Sequence, residues 1–319
     1  MNKISLETAF TSYFHNKQLF QDFLDISING EYTQIFYSKN TFSPSKKLKQ
    51  FQQFLNLFIF DYIQINKDVV FSYRKGVSTI NAIKPHKNNK FIYTTDIESF
   101  FTHIEIEKIK QIILENKYNY IIASEDIEKY IDNILNLVTY EGILPIGAPT
   151  SPKISNAYLL KLDNVLQEYC QKNKIIFSRY SDDFIFSSDS KEKLILLNDI
   201  VEAFMKELGY LNLKINKKKT KLQQQGSNIT LLGFTITPQG HITVNKKIKN
   251  NLEILIHFYL TDKIKFNEVF ENIYSSKIEK VSGIISHINS IDKRYITKLK
   301  KKYGSFVVNS FIHRDISGE

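Results

Sequence analysis

Cysteine is nearly absent from this chain. Cys170 is the single thiol in 319 residues, so no disulfide can close within it, and a reducing, cytoplasmic setting is expected. Long apolar runs are missing too. None approaches the roughly 18 residues that a membrane span needs, and the opening "MNKISLETAF" carries no apolar signal-peptide region. No internal repeat and no low-complexity linker is present. Acid is also in short supply. Lys and Arg number 43 against 33 Asp and Glu, a net charge of +10 that favours a polyanion such as nucleic acid or an anionic membrane face. The excess is concentrated in residues 245–303, with thirteen Lys/Arg against six Asp/Glu. "KLKKKYG" within that stretch also reads as an ordinary helix end, with cations near the negative pole and Gly304 as the cap.

What is present suffices for one large or two ordinary domains, since 42% of the residues are hydrophobic. Apolar spacing predicts helices over 46–64, 104–117, 125–138, 153–172 and about 191–208. "KFIYTTDIESFF" (90–101) begins as a strand, and "GILPIGAPTSP" (142–152) is a Gly- and Pro-rich loop. Residues 177–188 and 229–244 read as hairpins, the second turning at Pro238-Gln239-Gly240. The rest is mostly helical. Strands and helices alternate without a regular βαβ rhythm, which predicts an α+β fold, an antiparallel sheet backed by helices.

The first hairpin poses a chemical question. "FSRYSDDFIFSS" sets Asp182 and Asp183 side by side between two apolar strands. Adjacent carboxylates repel, and an unpaired dry charge is expensive. A divalent cation against the pair would remove the difficulty. Mg²⁺ prefers hard oxygen ligands, usually one or two carboxylates plus substrate phosphates. Two such ions about 3.5–4 Å apart can hold the attacking and leaving oxygens of a phosphoryl transfer. A further carboxylate is then needed from another strand, and Asp96, at the end of the apolar run in "FIYTTD", offers one. Asp is also favoured in turns, so the dipeptide alone does not decide.

Its surroundings do. "YSDD" between apolar strands resembles the YxDD box of reverse transcriptases. "DIESFF" (96–101) resembles the first palm motif of that family, and "GILPIGAPTSPKISN" (142–156) its LPQGxPxSPxxxN motif. "LNLKINKKKTKL" (211–222) resembles the lysine-bearing motif and "LLGF" (231–234) the primer grip. The five occur in the family's order. Within the family the chain is most similar to bacterial retron and phage-defence enzymes, and "YRKGVSTINAIKPH" (73–86) resembles the retron fingers, with His86 one residue late. Two departures stand out. The VTG triplet of retrons is replaced by "HITVNKK" (241–247), and Ile146 stands where the family usually has Gln beside the incoming nucleotide.

The resemblance implies a right-hand polymerase: fingers over 1–90, palm over 91–240 with intervening fingers elements, and a helical basic thumb over 241–319. Asp96, Asp182 and Asp183 become the catalytic carboxylates. Together with the backbone carbonyl of Ile97 they would bind two Mg²⁺, for which Mn²⁺ can substitute. Phe101 becomes the ring under the sugar of the incoming nucleotide, or a plain core residue. Arg74 and Lys75 would grip the triphosphate, backbone around Gly147 would contact the nucleotide, and Lys218 or Lys219 would protonate the leaving pyrophosphate. Tyr180, Gly233, Phe234, Lys300, Lys301 and Lys302 would hold template-primer. The implied partners are an RNA template and the RNA/DNA duplex, dNTPs, a noncoding RNA encoded nearby and an effector protein, with no membrane. The rivals are another palm enzyme, such as an RNA-dependent RNA polymerase or a nucleotide cyclase, and a non-catalytic RNA-binding scaffold. Phe101 argues against the RNA-dependent RNA polymerase, and the complete set of three aspartates against the scaffold.

Overall fold

Phe91–Asp96 (β3), Ile176–Tyr180 (β4) and Asp183–Ser188 (β5) are antiparallel neighbours in a four-stranded sheet, with β5 between β4 and β3. Their apolar, aromatic-rich sequences explain the strands. Phe177 stacks on Phe186 with ring centroids 4.9 Å apart, and Phe184 and Phe186 are buried. The computed structural model describes residues 3–35, 41–274, 285 and 288–313. The chain divides into two units, Met1–Ala82 with Phe91–Leu222, and Ile83–Lys90 with Gln223–Glu319.

In the first unit the aromatic residues of the N-terminal region make a dense core. Helices Leu6–Phe14 and Lys46–Phe58 are capped by Ser5 and Ser45, whose hydroxyls accept from the amides of Thr8 and Leu48. Phe10 meets Phe54 edge-on at 5.5 Å, and Phe23, Phe51 and Phe54 are fully buried. The helix expected over 46–64 stops at Phe58. A 3₁₀ turn, Phe60–Tyr62, follows and still buries Ile59, Phe60 and Ile63. Apolar spacing therefore continues past the helix end.

Three other expected helices are each two. The 125–138 segment breaks at Tyr130, whose ring packs edge-on against Phe20 at 5.6 Å. The 153–172 segment breaks at the buried Leu159 into Ser151–Tyr158 and Leu160–Lys172. The 191–208 segment breaks at Leu196, which is exposed. None of the breaks carries Gly or Pro, so no local signal marks them.

In the second unit the expected 229–244 hairpin is a three-stranded meander: Ile229–Leu231 (β7), Phe234–Ile236 (β8) and Ile242–Val244 (β9). The extra turn is Leu232-Gly233, both at positive φ (47° and 84°), as a two-residue hairpin loop of the mirror-image type requires. A Leu where Asn or Asp is usual hides it in the sequence. Helices Lys246–Thr261, Lys263–Tyr274, Lys293–Tyr303 and Ser305–His313 follow. Gly304 caps Lys293–Tyr303 as expected, its amide donating to the carbonyl of Lys300 at 3.0 Å. Lys277, Glu279 and Lys280 of the basic segment lie outside the described residues.

Candidate active site

Strand register brings the carboxylates together. Asp96 on β3 is the cross-strand partner of Asp183 on β5, and Tyr180 on β4 is Asp183's partner on the other side. Asp182 stands next to Asp183 in the two-residue loop, and its carbonyl accepts from the amide of Ile97 at 3.3 Å. Ile97 is thus seated against the turn, as its expected role requires. Asp96 is nearly buried, and among the described residues its Oδ1 has no hydrogen-bond partner. Its Oδ2 accepts from the Lys219 ammonium at 2.8 Å.

Lys219 reaches this point because the segment before it is laid against β3. The amides of Asn216 and Glu98 donate to the carbonyls of Asp96 and Lys214, each at 2.8 Å, and the Thr95 and Thr220 hydroxyls meet at 2.8 Å. Of the two candidate lysines it is Lys219 that meets the carboxylates. Lys218 is exposed. The Asp96 hydrogen bond holds the Lys219 ammonium above its ordinary range. Surrounding protein pushes the Asp183 carboxyl up to about 6, Asp182 and Asp96 push the same way, and Lys219 opposes them. That carboxyl still reaches solvent.

The arrangement has the character of a cation site. Three carboxylates crowd together, one buried oxygen is unsatisfied, and a tethered ammonium sits where positive charge is wanted. Among the described residues no three His, Cys, Asp or Glu side chains enclose a metal by themselves.

The turn itself is held from behind. Ser181 has φ 59°, a left-handed conformation unusual for a residue with a Cβ. Its amide donates to Ser72 Oγ at 2.8 Å, its carbonyl accepts from Arg179 Nη1 at 2.8 Å, and its hydroxyl accepts from Tyr73 Oη at 3.1 Å. Arg179 is fully buried and meets Asp163 through two hydrogen bonds, of 2.7 and 2.6 Å. Burial pushes the Asp163 carboxyl up and the guanidinium pulls it down. With both its oxygens taken by guanidinium N–H donors, the ionised form is the one that matches. The motif comparison passes over Ser72, Tyr73, Asp163 and Arg179. A signal existed: Arg179 is a charge inside an otherwise apolar strand, and Asp163 one on the apolar face of a helix.

The other expected residues fall as follows. Strand β3 ends at Asp96, so Phe100 and Phe101 do not alternate along a strand. They lie in a 3₁₀ turn, Phe100–His103, entered through Ser99 at φ 49°. Phe100 is buried against Tyr158, whereas Phe101 is half-buried. Arg74 Nη1 donates to the carbonyls of Lys67 (2.6 Å) and Val70 (2.5 Å). With Lys75, Lys67, Lys153, Tyr62 and Tyr73 it lines a cavity of about 760 Å³ whose wall includes Asp61 but not Asp96, Asp182 or Asp183. Gly147 has φ +106°, and an added Cβ would collide with the carbonyl oxygen of Phe42. Phe42 on strand Phe42–Pro44 (β2) also donates its amide to Ile146, at 2.8 Å. Close backbone approach thus demands glycine here. Tyr180 is half-buried, its ring 6.4 Å from that of Tyr73. In the second unit Gly233 is exposed, but Phe234 is buried in the meander, so its ring offers no surface to a duplex. Lys301 is exposed and Lys300 half-exposed, whereas Lys302 is tied to Glu253 at 2.7 Å.

Residues 38–236 match the family model described as reverse transcriptase (RNA-dependent DNA polymerase). The chain belongs to the reverse transcriptase family. The resemblance drawn from the motifs and the α+β polymerase fold are borne out, and the enzyme is an RNA-directed DNA polymerase. It is 29% identical over 278 residues to the retron Ec86 reverse transcriptase of Escherichia coli, spanning 85% of this chain and 79% of that one. It is 27% identical over 272 residues to the retron Ec73 reverse transcriptase of the same organism, spanning 83% of each. Among solved structures, a telomerase from Candida albicans aligns with a TM-score of 0.44 at 11% identity, over 86% of this chain and 56% of that one. Reverse transcriptases generally use divalent metals, and their templates are RNA. No helix among the described residues is long and apolar enough to cross a membrane.

Proposed function

We propose that this reverse transcriptase copies a partner noncoding RNA into DNA at a two-Mg²⁺ site built on Asp96, Asp182 and Asp183, and that it serves in antiphage defence with an effector protein. The observation that carries the site is the register that sets Asp96 opposite Asp183, with Asp182 on the adjoining turn and one buried Asp96 oxygen unsatisfied. The relatives named as retron reverse transcriptases support a retron-type enzyme, and the partner RNA and the defence setting follow from the motif resemblance to retron and phage-defence enzymes. When bound, the two ions would supply charge neutralisation at the reacting phosphate. Mn²⁺ would serve as a substitute.

A primer hydroxyl attacks the α-phosphorus of the dNTP and pyrophosphate leaves. Asp96, Asp182 and Asp183 orient this chemistry, with the Ile97 carbonyl beside them. Lys219, whose ammonium is held at the site by Asp96 at 2.8 Å, would be the proton donor to pyrophosphate. Phe101 excludes the ribose 2′-hydroxyl, Arg74 and Lys75 meet phosphates, and Tyr180 and the Leu232-Gly233 turn support template-primer. In this reading residues 1–90 serve as fingers, 91–240 as palm and 241–319 as a thumb that tracks the duplex backbone. Asp182→Asn with Asp183→Asn tests it. Incorporation should vanish while folding and RNA binding persist, because removing mutually repelling carboxylates does not unfold the protein. A double variant that still extends a primer refutes the site.

A further inference from the structure

Among the described residues Arg179 is the largest fully buried side chain, and every guanidinium N–H has a partner. Nε and Nη2 donate to the two oxygens of Asp163 at 2.7 and 2.6 Å. Nη2 also donates to the Asn156 carbonyl at 3.1 Å. Nη1 donates to Asn156 Oδ1 at 3.3 Å and to the Ser181 carbonyl at 2.8 Å. Asn156 in turn binds Ser72, through Nδ2 to the carbonyl (2.8 Å) and Oδ1 from the hydroxyl (2.9 Å). Ser72 Oγ then accepts from the Ser181 amide at 2.8 Å. The segment bearing Ser72 is itself fastened to β4, with the Arg179 amide donating to the Val69 carbonyl and the Phe71 amide to the Arg179 carbonyl, at 2.7 and 3.0 Å.

The network thus closes on both backbone groups of one residue, Ser181, which is held left-handed immediately before Asp182. A buried ion pair is weak evidence for stability, since well-packed apolar residues of similar volume often do as well or better. What apolar residues cannot do is bind the Ser181 carbonyl. Left-handed backbone persists for such a residue only where its surroundings over-determine it. We infer that the buried Asp163–Arg179 pair, with Asn156 and Ser72, is the positioning device of the catalytic turn: it fixes the Ser181 backbone and thereby where the Asp182 and Asp183 carboxylates stand. None of the four touches substrate in this role. The inference rests on the aspartate site proposed above.

The test replaces the pair in one step, Asp163→Leu with Arg179→Met, in the full chain. Single-turnover extension on an RNA template would be measured with the dNTP KM, the template-primer Kd and the half-saturating Mg²⁺ concentration. The fold should survive and the dNTP KM and template-primer Kd should hold. The extension rate should fall about 100-fold, as misplacement of reacting groups by about 1 Å can cause, and half-saturating Mg²⁺ should rise. A purely structural pair would leave the rate per folded molecule and the Mg²⁺ dependence at wild-type values, and that result overturns the inference. Should the double variant not fold, Ser72→Ala decides, since it deletes the acceptor of the Ser181 amide and the donor to Asn156 Oδ1 while leaving the Asp163–Arg179 pair in place. A rate loss of about tenfold with raised Mg²⁺ demand is expected from losing the Ser72 hydroxyl's hydrogen bonds to the Ser181 amide and Asn156, and unchanged values overturn the inference. Asp182→Asn run in parallel separates the two readings. An active Asp182→Asn sinks the aspartate site itself, whereas an inert one beside wild-type Ser72→Ala sinks the positioning role alone.

Discussion

At the scale of single residues, the informative feature is charge held against its preference. Asp183 is pushed up to about 6 by the protein around it and by Asp182 and Asp96. A carboxyl whose folded pKa lies above its unfolded value favours the fold when protonated. Its contribution is complete below its ordinary 3.8 and is lost as pH rises through about 6. In a chelator, Asp183→Asn should therefore melt higher than wild type at pH 7.5, and the gap should close as pH falls from about 6 to about 4. Thermal melts of both proteins across that range check this. A gap that does not change with pH would mean that Asp183 is not titrating against its neighbours. That Asp96 and the Asp182-Asp183 pair would meet was legible in the sequence, because each lies at the end of a short apolar strand and those strands pair. Tyr73 and Ser72 were not, because each acts through a fold contact with a partner more than 80 residues away in the chain.

At the scale of elements, strands were easier to read than helix breaks. The Tyr180-Ser181-Asp182-Asp183 hairpin and β3 stand as their alternation implied. The breaks at Tyr130, Leu159 and Leu196 did not show, because no Gly or Pro announces them. Gly147 is a case in which the motif named the residue but not its reason. Its positive φ and the adjacent Phe42 carbonyl leave no room for a Cβ. Gly147→Ala should lower stability by about 1–3 kcal/mol, the range for strained backbone or overpacking. Urea unfolding checks this, with Gly142→Ala as the comparison: Gly142 also has positive φ, but nothing lies within 4 Å of its added Cβ. Equal losses at the two positions would leave backbone conformation alone as the reason for Gly147.

At the scale of the whole molecule, the surplus of basic residues was plain in the sequence, but their individual availability was not. Lys302 is engaged by Glu253, whereas Lys301 is exposed. Ala substitution at Lys301 should therefore lower the slope of log affinity against log salt by roughly 0.7–0.9, the value for one phosphate contact, and substitution at Lys302 by less. Filter binding to a template-primer duplex over a salt series reads both, and equal slopes in wild type and both variants would make this helix end a solvated surface only. The family, order of motifs and α+β class were all readable from the chain, because the palm's chemistry writes its residues in short local stretches. The division into two units was not, since Ile83–Lys90 joins a segment that begins more than 130 residues later. The central claim, that this chain builds DNA on RNA with a ring guarding the sugar, meets its most direct test in one assay. Purified enzyme extends a primer on an RNA template with dNTPs or with rNTPs, as wild type and as Phe101→Ala. Wild type should add deoxynucleotides and reject ribonucleotides, and Phe101→Ala should admit ribonucleotides with a modest loss of DNA synthesis. Equal use of both sugars by wild type, or a sugar preference unmoved by Phe101→Ala, would contradict it.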